Sequence, residues 1–203
     1  MKTIHDPSRR RALARLGIAL SAPWASALPR AAGAEIPLPG NSIYQLHPAL
    51  LDQDGRPFDL ASLRGNPVLA SMFYSSCEMV CPMIFETIRQ TVDALPAAGR
   101  RRIRVLMASF DPARDSVEVL KRTAKAHGCD DRWTLVRADE VDTRKLAALL
   151  GVQYRRLASG EFNHSTSIEL LDGEGRIVAR SGKLGAIDPQ LMQPLKKELE
   201  RRA

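Results

Sequence analysis

The sequence predicts an α/β domain, a central sheet flanked by helices, with a β-hairpin added at its front. Three observations carry this. Short apolar runs at 68–74, 103–110 and 133–136 alternate with segments whose apolar residues recur at helical spacing, the pattern of strands joined through helices. Asp-Gly signals at Asp54-Gly55 and Asp172-Gly173 turn the chain back on itself ahead of this series and after it. The length, 203 residues, suits one domain with an extension and is enough to bury a sizeable core.

In chain order, 44–51 and 56–58 form the edge hairpin around Asp52-Gln53-Asp54-Gly55, and 59–64 is a short turn or helix. Gly65-Asn66-Pro67 bounds the first buried strand, 68–74 (VLASMFY). From Pro82, the residues Met83, Ile84, Ile88, Val92 and Leu95 mark an amphipathic helix stopped by Pro96. Arg100 to Arg102 reads as a basic surface turn into the strand 103–110 (IRVLMASF). Asp115 with Glu118 has the form of a capping box for a helix running to about His127. Then come a third strand at 133–136, a helix at 142–150 closed by Gly151, and a loop from Leu157 to Asn163. The stretch 164–171 reads as a strand that makes a hairpin with 176–181 across Asp172-Gly173-Glu174-Gly175. Pro189 to Arg202 is a terminal helix with Leu191, Met192, Leu195 and Leu199 on one face. No internal repeat, Walker loop or GxGxxG is present.

The formal charge of +7 is unevenly placed. Residues 1–34 hold six basic side chains against the single acid Asp6, which leaves 24 basic and 22 acidic residues for the rest. A polyanion partner such as nucleic acid therefore loses its main support. Residues 1–34 have the layout of an export signal: a basic start, a mildly apolar stretch from Leu16 to Leu28, and Ala32-Gly33-Ala34 before Glu35, with cleavage expected near Ala34. Ser8-Arg9-Arg10-Arg11-Ala12-Leu13 resembles a twin-arginine signal. The expected product is periplasmic, with an extended tail at 35–43 and one domain at 44–203 that reaches a membrane only through a partner.

Three cysteines, Cys77, Cys81 and Cys129, leave one over from any pair. Cys129 lies in a polar loop and reads as a thiol without a role. Cys77 and Cys81 lie where the first strand runs into a helix, in Tyr74-Ser75-Ser76-Cys77-Glu78-Met79-Val80-Cys81-Pro82. With Pro82 at the first helical position, Cys81 is expected at the N-cap, and the helix N-terminus should lower both thiol pKa values. Two such thiolates bind Cu(I) or close into a disulfide, and a third ligand would decide. Of the four histidines, His5 leaves with the signal, while His47 and His127 have no partner motif. His164 enters a strand after a polar loop, in a stretch without proline between Pro112 and Pro189. Met79 offers a thioether but reads as a packing residue, and Asp111 serves equally as a turn former or as a neighbour of the site.

The combination of the CxxxCP stretch, Ser109-Phe110-Asp111-Pro112-Ala113-Arg114-Asp115, Trp133-Thr134-Leu135 and Phe162-Asn163-His164-Ser165 resembles the Sco/SenC family of copper-binding cytochrome oxidase assembly factors, over about 46–195. The resemblance implies a thioredoxin-like sheet and copper, as Cu(I) or Cu(II), held by Cys77, Cys81 and His164. It implies a copper chaperone with no catalytic turnover. Its partners would be a copper-receiving oxidase subunit and a thiol reductant or another copper chaperone. Asn163 stands where family members often carry an acid. Two alternatives remain at this stage. One is a thiol–disulfide reductase or peroxidase of the thioredoxin superfamily, against which the four-residue cysteine spacing counts; the other is a copper or redox sensor.

Overall fold

A computed structural model describes residues 37–201. The expected export signal lies outside them. Ahead of the sheet, Ser42 caps a 3₁₀ turn (Ile43–Gln45) with its side chain and donates its hydroxyl to Glu174 O at 2.6 Å, while the Ile43 N–H reaches Gly175 O at 3.0 Å. Docking of the chain thus begins two residues before the expected domain start at Tyr44. Tyr44 is fully buried in this turn, not in a strand.

The front hairpin consists of β1 (Leu50–Asp52) and β2 (Pro57–Phe58), paired antiparallel. After a 3₁₀ turn (Leu60–Leu63) come β3 (Val68–Phe73), α1 (Val80–Asp93), a short α2 (Ala97–Arg102), β4 (Arg104–Ser109), α3 (Val117–Ala126), β5 (Trp133–Arg137) and α4 (Glu140–Leu150). The chain continues through β6 (Tyr154–Arg156), β7 (Phe162–His164), β8 (Ile168–Leu171), β9 (Ile177–Ser181) and α5 (Pro189–Glu200).

Seven strands form one mixed sheet in the order β2-β1-β5-β4-β3-β8-β9. β3, β4 and β5 run parallel, and β8 lies antiparallel beside β3. All six residues of β3 and the last five of β4 are buried. Strands buried along their whole length need both faces covered, and this explains why these runs read as continuously apolar instead of alternating. Phe73 of β3 packs edge-on against Phe85 of α1 at 5.4 Å, and Phe85 in turn stacks on Trp133 of β5 at 5.7 Å.

Three local expectations differ from the structure. Arg100–Arg102 close the helix α2, where a three-residue basic turn was expected. The stretch from 157 to 163 proves to hold the turn and the first two residues of β7 in a two-stranded sheet of its own, β6–β7, so the strand expected to begin at His164 begins at Ile168. The N-cap of α3 is Ser116, whose hydroxyl accepts from Val119 N–H; Asp115 is fully buried and bonded elsewhere. Ser116 wins the cap because its side chain lies on the solvent side of the helix entry, while Asp115 points into the core.

The Asp172–Gly175 turn is where the front of the chain docks. Gly175 has φ +78°, and a Cβ there would fall 2.7 Å from both Ser42 Oγ and Tyr44 Cδ2. Gly175→Ala should therefore lower unfolding free energy by about 2–3 kcal/mol, combining left-handed strain with displacement of Tyr44. A reduced urea midpoint with an unchanged slope is the expected reading.

Candidate metal centre

The site lies at the carboxyl end of β3, the edge at which parallel strands deliver ligands to a helix N-terminus. After Phe73 the chain turns tightly, with Cys77 N–H donating to Tyr74 O at 3.2 Å, and enters α1. The N-cap is Met79, so Cys81 is the second helical residue and Pro82 the third. The expected N-cap at Cys81 is displaced because the first four helical N–H groups all lack intrahelical partners, so proline fits at the third position as well as at the first. One of these free N–H groups, that of Cys81, donates to Cys77 Sγ at 3.3 Å.

The two thiols are consequently unequal. Burial pulls the Cys77 pKa upward, but the N–H groups of Cys81, Met79 and Val80 together with the Cys81 thiol outweigh it, and the net shift is down. Burial dominates at Cys81, which is only 2% exposed, and the charge on Cys77 adds to it, so this thiol is raised. The expectation that the helix N-terminus lowers both holds for Cys77 and fails for Cys81. A helix terminus favours charge only where the sulfur meets the N–H groups with some solvent beside it.

The third member arrives from a distant segment. His164 ends β7, paired in register with Tyr154, and its Nδ1 lies 3.1 Å from Ser165 O. With Nδ1–H donated to that carbonyl, Nε2 keeps a free lone pair for a metal. The ring packs against Phe110 (5.1 Å) and Tyr74 (5.8 Å). One ligand atom each from Cys77, Cys81 and His164 lies within 4.8 Å of the others. Three donors about 2.0–2.3 Å from one first-row ion, spread at about 120°, sit roughly 3.5–4.0 Å apart, so side-chain movement of up to about 1 Å closes the group on an ion. Two soft sulfurs and one imidazole suit Cu(I) through the thiolates and Cu(II) through the added nitrogen.

The other sequence candidates are not members of this group. His127 stacks flat on Phe85 at 4.1 Å, with its pKa lowered by burial and by Arg89. His47 is exposed. Cys129 is half-buried and pushed up to about 12 by that burial. Met79 is 76% exposed, so the packing role expected for it does not hold. Asp111 is buried and paired with Arg114.

Four residues that the sequence reading left without a site role support the three. Asp115 accepts from the hydroxyls of Ser75 and Ser109 and from Ser75 N–H, tying the cysteine loop to the end of β4. Tyr74 donates to Glu161 Oε2 at 2.8 Å, and Arg114 Nη2 donates to Gly160 O at 2.7 Å. The Ser-x-Asp-Pro-x-x-Asp stretch held a signal for Asp115 and Arg114; nothing local marks Tyr74 or Glu161.

A sequence profile described as SCO1/SenC matches residues 40–200. This chain belongs to the SCO1/SenC family. A Stutzerimonas stutzeri protein named as copper-binding is 31% identical over 72 residues, 36% of this chain and 35% of that relative. The structure of Arabidopsis thaliana ScoI with copper bound superposes with TM-score 0.64 at 18% identity, covering 75% of this chain and 95% of the other. BsSco, described as a member of the Sco family of cytochrome c oxidase assembly proteins, superposes with TM-score 0.62 at 20% identity, covering 75% and 94%. Both share the thioredoxin-like fold of this SCO1/SenC chain. Among its described residues, no helix is long and apolar enough to cross a membrane.

Proposed function

We propose that this SCO1/SenC protein is a periplasmic copper chaperone that holds one copper ion as cargo between Cys77, Cys81 and His164. It would hand the ion to a cytochrome oxidase subunit, or keep that subunit's copper-binding thiols reduced. The observation that carries the reading is the meeting of three ligand atoms from segments more than 80 residues apart. The copper-binding relative, the copper-bound ScoI neighbour and the assembly role stated for BsSco support it.

The chemistry follows from the unequal sulfurs. Cys77, half-exposed and favouring the thiolate, is the first contact for an ion presented by a donor. Cys81 joins after giving up its proton, so uptake releases a proton and becomes harder in acid. Release reverses the order by ligand exchange, with incoming ligands displacing the accessible sulfur first. An oxidised Cys77–Cys81 pair would have no thiolate to offer, so a thiol reductant belongs among the partners.

Copper stoichiometry tests this. Reduced wild type is expected to take up about one copper per chain. Cys77→Ser and Cys81→Ser should each abolish Cu(I) uptake, and His164→Ala should chiefly weaken Cu(II). Wild-type affinity in all three variants would sink the reading.

One observation favours a second activity at the same sulfurs: Cys77 is an accessible thiol whose pKa is lowered, beside a buried thiol whose pKa is raised. Its sulfur can attack a partner disulfide and expel one partner thiolate. Cys81, once deprotonated, then attacks Cys77 and frees the second, leaving Cys77 and Cys81 joined until an external thiol reduces them. Efficient insulin reduction in the presence of dithiothreitol would favour this reading.

A further inference from the structure

We infer that the β6–β7 hairpin is held over the sulfur pair by a two-point clamp at its tip, Arg114 on Gly160 and Tyr74 on Glu161, and that this clamp positions His164. The inference deepens the copper reading and rests on it. The hairpin pairs only with itself and takes no place in the seven-stranded sheet. Its base is fixed where Ser165 N–H meets Gln153 O at 2.8 Å and Gln153 N–H meets Ser165 Oγ at 2.9 Å. Between base and tip, ring packing of Tyr154, Phe162 and His164 on Phe110 holds the two three-residue strands down but leaves the turn unpinned, and an isolated two-stranded hairpin has little stability of its own.

The tip is secured from two different directions. Arg114, oriented by the buried carboxylate of Asp111, reaches Gly160 O at 2.7 Å and lies 5.7 Å from the Phe162 ring centroid. Tyr74, buried and only three residues before Cys77, donates to Glu161 at 2.8 Å. The second bond matters more for the ion, since it runs from the segment that carries a sulfur to the residue just before the strand that carries the imidazole. Loss of the clamp would leave both sulfurs in place and free the nitrogen, so retention of Cu(II) should suffer while Cu(I) remains bound.

The test uses the full-length protein. Arg114→Ala strands the Asp111 carboxylate and endangers the fold, so Glu161→Ala, at an exposed position, and Tyr74→Phe, which keeps the ring, carry the decision. Each should weaken Cu(II) binding roughly 10- to 100-fold, the usual cost of losing a group that orients a ligand. Each should also reduce the imidazole nitrogen splitting in the Cu(II) electron paramagnetic resonance spectrum. Cu(I) stoichiometry should stay at the wild-type value, and Glu161→Gln, which keeps an acceptor oxygen, should restore most of the Cu(II) affinity. In the metal-free variants, amide exchange should quicken in β6 and β7 and stay unchanged in β3 and β4. Unchanged Cu(II) affinity overturns the inference, whether or not hairpin exchange quickens. A wild type that binds no copper would instead remove the copper reading, and hairpin exchange in the metal-free variants would still decide whether the clamp exists.

Discussion

Asp115→Ala is expected to lower the unfolding free energy by about 3–5 kcal/mol, a large share of the ~5–15 kcal/mol that holds a domain together. The carboxylate is fully buried and accepts from Ser75 N–H, the Ser75 hydroxyl and the Ser109 hydroxyl. Alanine would leave these donors without an acceptor in a space too small for bulk water. Each buried donor so stranded costs about 1–3 kcal/mol. Asp115→Asn keeps one acceptor oxygen and should lose about half as much. Urea unfolding reads the stability, and Cu(I) titration reads the second consequence. Ser75 fixes the turn that presents Cys77, so Asp115→Ala should weaken Cu(I) at temperatures where the sheet is still folded. Wild-type Cu(I) affinity in a destabilised Asp115→Ala would show that the sulfur geometry is set by α1 alone.

Asp115 also shows what the sequence could and could not reveal. Continuous apolar runs and helical apolar spacing report burial directly, so the central strands, α1, α4 and α5 were legible within a few residues. Caps were not. Asp115 and Ser116 are both good capping residues, and only the core contacts made by Asp115 hand the role to Ser116. The β6–β7 sheet was missed for a related reason. Its strands are three residues each, carry Arg155 and Arg156, and gain their stability from aromatic packing of Tyr154 and Phe162 on Phe110, a contact across more than 40 residues. The sulfur pair and the histidine were legible because soft ligands at defined spacing are uncommon, and the family pattern joined them. The inequality of the two thiols was not, since one helical turn of sequence says nothing about how deep each sulfur lies.

Glu169→Gln should make the protein more stable at pH 8 by up to about 3 kcal/mol and leave it nearly unchanged at pH 4.5. Glu169 sits in the middle of β8, fully buried, with Oε2 unpartnered and the Arg180 guanidinium 3.9 Å from Oε1. Burial raises its pKa from 4.5 to about 7, against the opposing pull of the Ser167 hydroxyl and of Arg180. Between those values the folded chain keeps a proton that the unfolded chain gives up. Unfolding thus releases a proton there, and stability falls as pH rises from the unfolded value through the folded one. Glutamine is neutral throughout and keeps an oxygen for Ser167, so its own curve should lack this fall. The difference between variant and wild type in urea unfolding at pH 4.5, 6, 7 and 8 isolates the group, because all other titrations cancel. Expected is a gap that opens across this window and levels off above it. A gap of the same size at every pH would mean that Arg180 holds the carboxylate ionised in the native sheet and that its burial carries no penalty.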